Sequence, residues 1–426
     1  MVPGLPARSG LSMARLLADV TPLRRSRDFR LLFAAQFVSF LGSQLTVVAV
    51  AFQVFVLTGS SLQVGLVSLV QLPVLLAGSL VGGAVADSMD RRRLLLVMQV
   101  ALVGTSVGLA VNASLEHPKV WPLYVLEAVA AGLSGFERTA HSAALPNVVD
   151  RSSLPAAYAL WQLQAQLGMT AGPALAGLLL GGVGVAAVYW IDAATFLVAS
   201  AAIVRMRPLP PEGGGTRASA ASIAEGVRYL KGRRLLAAVF VIDLDAMVFG
   251  MPRALFPALG TGLYGGGAGT VGLLYAALGG GALIGSILTG WVSAIRRQGR
   301  AVLVAVAVWG LAVTLFGFVP WLGLALVLLA VAGAADVVSA VFRNTILQVS
   351  IPDALRGRMS SAHIAVVTGG PRLGDAEAGA VAAMAGPRVS VVSGGLACLL
   401  GVLAIARIYP ELARYRAVED EAAAVG

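Results

Sequence analysis

Long apolar runs separated by short, base-rich connections organise this chain from end to end. A helix rising 1.5 Å per residue needs ~20 apolar residues to cross ~30 Å of hydrocarbon. Twelve runs approach or exceed that length, approximately 30–57, 62–86, 93–112, 121–145, 156–180, 186–206, 235–259, 269–295, 301–319, 321–347, 359–384 and 388–408. Gly and Pro punctuate them freely, which a bilayer tolerates where neighbouring helices re-satisfy the backbone. The pattern predicts an all-α membrane protein with twelve transmembrane helices.

Composition agrees: 58% of the 426 residues are hydrophobic and 12% charged, against roughly 45–50% and ~25% in soluble domains. The 31 Lys and Arg outnumber the 21 Asp and Glu, a balance that would suggest nucleic acid had the bases formed one patch on a soluble domain. They fall instead at alternate connections. The first tail carries six through Arg30; Arg91, Arg92 and Arg93 follow helix 2; Arg138 and Arg151 flank the 4–5 connection; seven lie between Arg205 and Arg234. Arg296, Arg297 and Arg300, then Arg343, Arg356 and Arg358, then Arg407, Arg414 and Arg416 continue the series. Twenty-seven of the 31 thus share one side, Lys119 and Arg388 fall on the other, and Arg253 and Arg372 lie within helices. Bases flanking helices are retained in the cytoplasm, so both termini are expected there, with the lipid bilayer and no nucleic acid as partner. One cysteine, Cys398, excludes an intramolecular disulfide, and His117, His141 and His363 are too scattered to suggest a metal site.

An internal repeat divides the chain. At an offset of 207 residues Val64-Gly65-Leu66 matches Val271-Gly272-Leu273, Gly78-Ser79 matches Gly285-Ser286, Gly83 matches Gly290 and Arg93 matches Arg300. Duplicated halves are a common transporter plan. The expected organisation is a cytoplasmic tail over 1–28, a first six-helix half over 29–207, a linker over 208–234, a second half over 235–409 and a tail over 410–426. The linker opens with Arg207-Pro208-Leu209-Pro210-Pro211 and three glycines follow Glu212, a sequence that cannot continue a helix. Ile223–Leu236 then reads as a short basic amphipathic helix on the membrane surface.

Two motifs carry more than topology. Gly83-Ala84-Val85-Ala86-Asp87-Ser88-Met89-Asp90-Arg91-Arg92-Arg93 makes a very short charged turn, with Gly83 expected to permit close helix approach. Gly168-Met169-Thr170-Ala171-Gly172-Pro173 places a helix-bending proline beside two small residues in helix 5. The first resembles the signature loop of the major facilitator superfamily, and the second the helix-5 motif of its proton-coupled exporters. Ser88, Asp90 and Ala176 depart from the usual residues. The resemblance implies a conformational latch, Gly83, Asp87, Arg91 and Arg92, in which Asp87 engages the start of helix 11 when the protein faces outward. An anion there meets unpaired helix N–H groups. The second half has Ala294 in place of Asp87, so the latch is expected mainly in the first.

Ser61-Leu62-Gln63-Val64-Gly65-Leu66, Leu255-Phe256-Pro257-Ala258-Leu259, Gly272-Leu273-Leu274-Tyr275-Ala276-Ala277 and Pro352-Asp353-Ala354-Leu355-Arg356-Gly357-Arg358 are similar to the bacterial enterobactin exporters and their drug and macrolide efflux relatives, from Phe29 to Tyr409. What this implies is a monomeric secondary exporter in the bacterial cytoplasmic membrane, moving a small amphipathic molecule outward against protons without a cofactor. Macrolide or multidrug efflux, or a transporter-like sensor or scaffold, stay open as alternatives. No nucleophile–base constellation suggests an enzyme, and G-x-x-x-x-G-K-[ST] is absent, so ATP hydrolysis has no machinery in the sequence. Gly267-Ala268-Gly269-Thr270-Val271-Gly272 matches a dinucleotide fingerprint but follows a membrane helix rather than a strand.

Ionisable groups inside a bilayer cost about 2.5–3.5 kcal/mol each at the centre, which makes each a functional candidate. Asp243, Asp245 and Asp336 have no base within four residues and are the candidate proton carriers. Glu137, Arg138, Arg372 and Asp375 are candidate cavity residues, with Arg372 and Asp375 spaced to pair on one helix face. A single proton crossing 100 mV supplies about 2.3 kcal/mol, roughly a fifty-fold gradient, so one carboxylate suffices.

Overall fold

A computed structural model describes residues 19–86, 88–210, 228, 232–289, 295–351 and 356–417. Among them twelve long helices follow one another with short connections: α1 (Arg27–Thr58), α2 (Ser61–Ala86), α3 (Arg91–Ala113), α4 (Trp121–Val148), α5 (Leu154–Gly182), α6 (Gly184–Val204), α7 (Arg234–Phe249), α8 (Gly267–Ile287), α9 (Gln298–Phe318), α10 (Leu322–Ser350), α11 (Arg356–Ala385) and α12 (Pro387–Ile408). No described residue lies in a strand. Among the described residues nine spans are long and apolar enough to cross a membrane by length and composition. Helices α4, α5 and α11 fall short, α4 and α11 because they carry charges such as Glu127, Glu137, Arg372 and Asp375 and α5 because of its glutamines and glycines.

Local chemistry sets the turns. Ser26 accepts a hydrogen bond from Phe29 N at 3.1 Å and starts α1, and Asp90 accepts one from Arg93 N at 2.9 Å and starts α3. Gly59 ends α1 in the left-handed region at φ 64°, which lets α2 begin two residues later. Both described chain ends consequently reach one end of the bundle, the terminal end; the 1–2, 3–4 and corresponding turns lie at the far end.

The expected continuous seventh helix is broken. Helix α7 stops at Phe249, and the chain resumes as a 3-10 turn (Arg253–Leu255), a short α turn (Phe256–Ala258) and a π turn (Leu259–Leu263). Pro252 and Pro257 withhold two backbone donors there, so one uniform hydrogen-bond ladder cannot run through the segment. The predicted surface helix over Ile223–Leu236 falls mostly outside the described residues, and Arg234 onward belongs to α7.

The first six helices pack as α2 on α4, α3 on α6 and α1 on α5 and α6. The last six pack as α8 on α10, α9 on α10 and α12, and α7 on α11. The two sets meet along α5–α8 and α2–α11. Lipid tails are as apolar as leucine, so close van der Waals approach of small residues, rather than hydrophobic burial, drives such crossings. The repeat-matched glycines occupy equivalent crossings. A side chain at Gly78 would strike the Gly132 backbone of α4, and one at Gly285 would strike Ala334 of α10. Gly65 lies against the Asp375 backbone of α11, and Gly272 against Gly177 of α5, so this second matched pair joins the two sets.

Gly83 makes no such contact: nothing lies within 4 Å of where its side chain would be. The close approach sits at Gly82, against Phe136 and Thr139 of α4, one position earlier in the register.

Candidate functional site: the charged interior and the seam

Buried apolar residues divide unequally between the two ends. One continuous cluster joins the far ends of α1, α2, α3 and α5, through Leu45, Val64, Leu109 and Leu180, to the last six helices. The terminal ends of the first six helices form a separate cluster of their own, with Phe29, Leu94, Leu145 and Ile203. The seam between the two sets is therefore packed shut at the far end, while at the terminal end each set keeps its own core.

Polar residues sit directly behind the packed part of the seam. Asp375 of α11 accepts a hydrogen bond from Ser68 of α2 at 2.9 Å, and Arg253 Nη2 of the broken segment lies 3.7 Å from the same carboxylate. This corrects the expected Arg372–Asp375 pair: Asp375 turns across the seam to the first set and to Arg253. Arg372 donates to Thr368 O at 2.8 Å and lies within electrostatic reach of Glu127, Arg138, Arg253 and Asp375. Glu127 in turn accepts from Gln71 at 2.8 Å.

Two further carboxylates are buried within the first set. Gln99 of α3 donates to Glu137 at 2.8 Å, and Thr46 and Ser106 donate to Asp192 of α6 at 2.7 and 2.8 Å. Arg138, next to Glu137 on α4, is exposed.

Another ionic cluster lies within the last six helices. Arg343 Nη2 of α10 approaches Asp243 Oδ1 of α7 to 3.0 Å and Asp336 Oδ1 to 3.7 Å, and Arg343 Nη1 donates to Ser339 at 3.0 Å. His363 Nε2 of α11 lies 3.4 Å from Asp243 Oδ2. Neither Asp243 oxygen is aligned as a hydrogen-bond acceptor, so its pairing is electrostatic. Asp243 and Asp336, expected without a base, thus share one whose sequence distance hid it. Arg343, counted from the sequence with the bases of the terminal side, lies in the interior instead: helix α10 runs on to Ser350 and carries it inward, 4% exposed. Among the described residues no base pairs with Asp245. It faces α12 beside the Cys398 thiol and Gly401, away from that cluster.

The signature-loop arginines act locally. Arg91 donates to Pro210 O at 2.7 Å, its backbone N–H donates to Leu209 O at 3.0 Å, and Arg92 donates to Ile203 O at 3.2 Å and to Val204 O. They cap the end of α6, where unpaired carbonyls favour cations, and bind the start of the connector. Asp87 and residues 352–355 lie outside the described residues. In α5, Gly168 admits the Phe40 ring and Gly172 the Gln44 side chain of α1, and Pro173 O lies beside Gly272.

Twelve helices in two sets of six, with ionisable side chains buried in the interior and one end of the seam packed shut, define a membrane transporter of the major facilitator type. The chain belongs to the transmembrane secretion effector family of that superfamily, whose family model matches residues 18–423. It is 30% identical over 400 residues to the enterobactin exporter EntS of Shigella boydii serotype 18, covering 94% of this chain and 96% of that one. It is also 30% identical over 410 residues to EntS of Escherichia coli O6:K15:H31, covering 96% and 98%. Among solved structures, a bacterial homologue of the human lysosomal transporter Spinster, captured inward-facing and unoccupied, superposes with a TM-score of 0.71 at 13% identity, over 91% of this chain and 98% of that one. The nucleoside transporter NupG superposes with a TM-score of 0.71 at 12% identity, over 91% and 99%.

Proposed function

We propose that the protein is a proton-coupled exporter of the bacterial cytoplasmic membrane, carrying a small amphipathic, siderophore-like molecule outward by rocking its two halves. The observation that carries this reading is the lopsided seam, packed at the far end and parted into separate cores at the terminal end. With both termini cytoplasmic, as the base census favours, the arrangement is one that loads from the cytoplasm. Residues 29–207 and 235–409 are the two moving halves, and 208–234 is the connector that permits their movement. Both sides of the seam come from one chain, so a single copy suffices. The siderophore-like class rests on similarity to exporters of enterobactin along nearly the whole length.

The proton gradient takes the place of a cofactor. Asp336, more exposed than Asp243 and competing with it for Arg343, is the carboxylate best placed to gain and lose a proton. A proton on Asp336 releases Arg343 wholly to Asp243, which alters the cross-helix pairing of α7 and α10. Asp87 is assigned the latch at the start of α11 in the outward-facing state.

Purified protein in proteoliposomes, with enterobactin, erythromycin and ethidium as probes, tests the reading. Uncoupler-sensitive accumulation of enterobactin is expected, with Asp336→Asn losing accumulation while keeping enterobactin binding. Accumulation of erythromycin or ethidium alone would move the substrate class to drug efflux. Binding without exchange of any probe would contradict transport.

A further inference from the structure

The cluster around Arg343 has a charge imbalance that points to one more residue. Asp243 and Asp336 bring two negative charges and Arg343 one positive charge, held by helices α7 and α10. Among these described groups one negative charge is left over, and an uncompensated charge at a site as buried as Asp243, 1% exposed, is costly. A single additional proton neutralises the cluster.

His363 is placed to supply it. Its Nε2 is 3.4 Å from Asp243 Oδ2, and its ring meets Phe240 of α7 edge-on with centroids 5.7 Å apart, which fixes the imidazole between α11 and α7. Exposure runs in a gradient through the cluster. His363 is 21% exposed and Asp336 39%, whereas Asp243 and Arg343 are 1% and 4%. Two sealed groups therefore lie between two that water can reach. Helix α11 begins at Arg356, only seven residues before His363, which puts the imidazole about 10 Å from the terminal end of its helix. Asp336 sits at the midpoint of α10.

Resting on the proton-coupled reading above, we propose that His363 is the proton-access residue of the coupling network, the group through which the Asp243–Arg343–Asp336 cluster exchanges its proton with water at the terminal end. In release to the terminal end the O–H bond at Asp243 Oδ2 breaks and an N–H bond forms at His363 Nε2; carboxylic acid becomes carboxylate and imidazole becomes imidazolium. The imidazolium then gives its proton to terminal-end water. Once the halves have rocked, the cluster takes up a proton from water at the far end, so one proton crosses the membrane in each cycle. Arg343 keeps its charge throughout and turns toward Asp336 when Asp243 is neutral. Among the described residues the charged group that His363 meets directly is Asp243 on α7, which shares Arg343 with Asp336 on α10; on its own helix Arg372 and Asp375 lie more than two turns toward the far end.

The test uses full-length protein in pyranine-loaded proteoliposomes and reads enterobactin-driven proton flux beside enterobactin counterflow, which needs no net proton movement. For His363→Gln, loss of proton flux of about tenfold or more is expected with counterflow within about twofold of wild type, since a positioned acid–base group is worth at least that much. For His363→Ala, external imidazole should restore flux, because the vacated site admits a diffusible proton carrier, and should leave Gln unchanged. Wild-type flux with a wild-type pH profile in His363→Gln would overturn the proposal, as would parallel loss of counterflow, which marks a structural role. If wild type itself moves no proton with enterobactin, the coupling reading fails and takes this proposal with it, an outcome visible before any variant is compared.

Discussion

At the scale of single residues, Arg343 is the group on which the second set's interior depends. Two carboxylates from different helices share it, and removing one partner of a buried pair typically costs about 3–5 kcal/mol because the other charge is left uncompensated. Arg343→Gln should therefore lower thermal stability in detergent by roughly that amount, and adding Asp243→Asn should recover more than half of the loss. Purely additive losses in the double variant would show that the two do not interact. The sequence made Asp243 and Asp336 visible as candidates because a carboxylate inside an apolar run needs a reason. It hid their partner: Arg343 lies four residues from the expected helix end, where a base ordinarily faces water, and only the longer helix carries it inward. His363 was equally hidden, since a lone histidine acquires meaning from what it touches.

At the scale of elements, glycine spacing specifies which helices meet. Gly78 and Gly83 are both small residues in one motif-bearing helix, yet backbone atoms of α4 face the first and open space the second. Gly78→Val should destabilise by about 1–3 kcal/mol through forced helix separation, whereas Gly83→Val should stay within about 0.5 kcal/mol; equal effects in a denaturation assay would contradict the register. A bulky Gly177→Leu should prise α5 from Gly272 of α8 at the far end. Increased thiol labelling of a cysteine placed at Ser68 is its expected consequence, and unchanged labelling would mean that this crossing does not hold the seam. The offset repeat was legible because identical backbone approaches demand identical small residues. The break after Phe249 was less so: Pro252 and Pro257 were in view, but bilayer helices often absorb a proline, and only the tertiary arrangement decides between a kink and a break.

At the scale of the whole molecule, twelve spans, their order and the return of both described chain ends to one end all follow from run length and base placement. Which end of the seam is packed could not be read the same way, because each half's helices look alike from either end and closure is a property of contacts between halves. The central claim is that these contacts alternate. The buried Cys398 is the protein's sole cysteine, so a Cys398→Ser background allows spin labels to be placed at will. One pair at Arg93 and Arg300, exposed repeat-equivalent positions at the terminal end, and another at Trp121 and Trp321, exposed at the far end, span the seam at its two extremes. Pulsed electron–electron resonance in nanodiscs, with enterobactin and a pH step, is the most direct measurement. The account predicts that the Arg93–Arg300 distance shortens while the Trp121–Trp321 distance lengthens, each by more than about 2 Å; distances that stay fixed, or that change in the same direction at both ends, would contradict it.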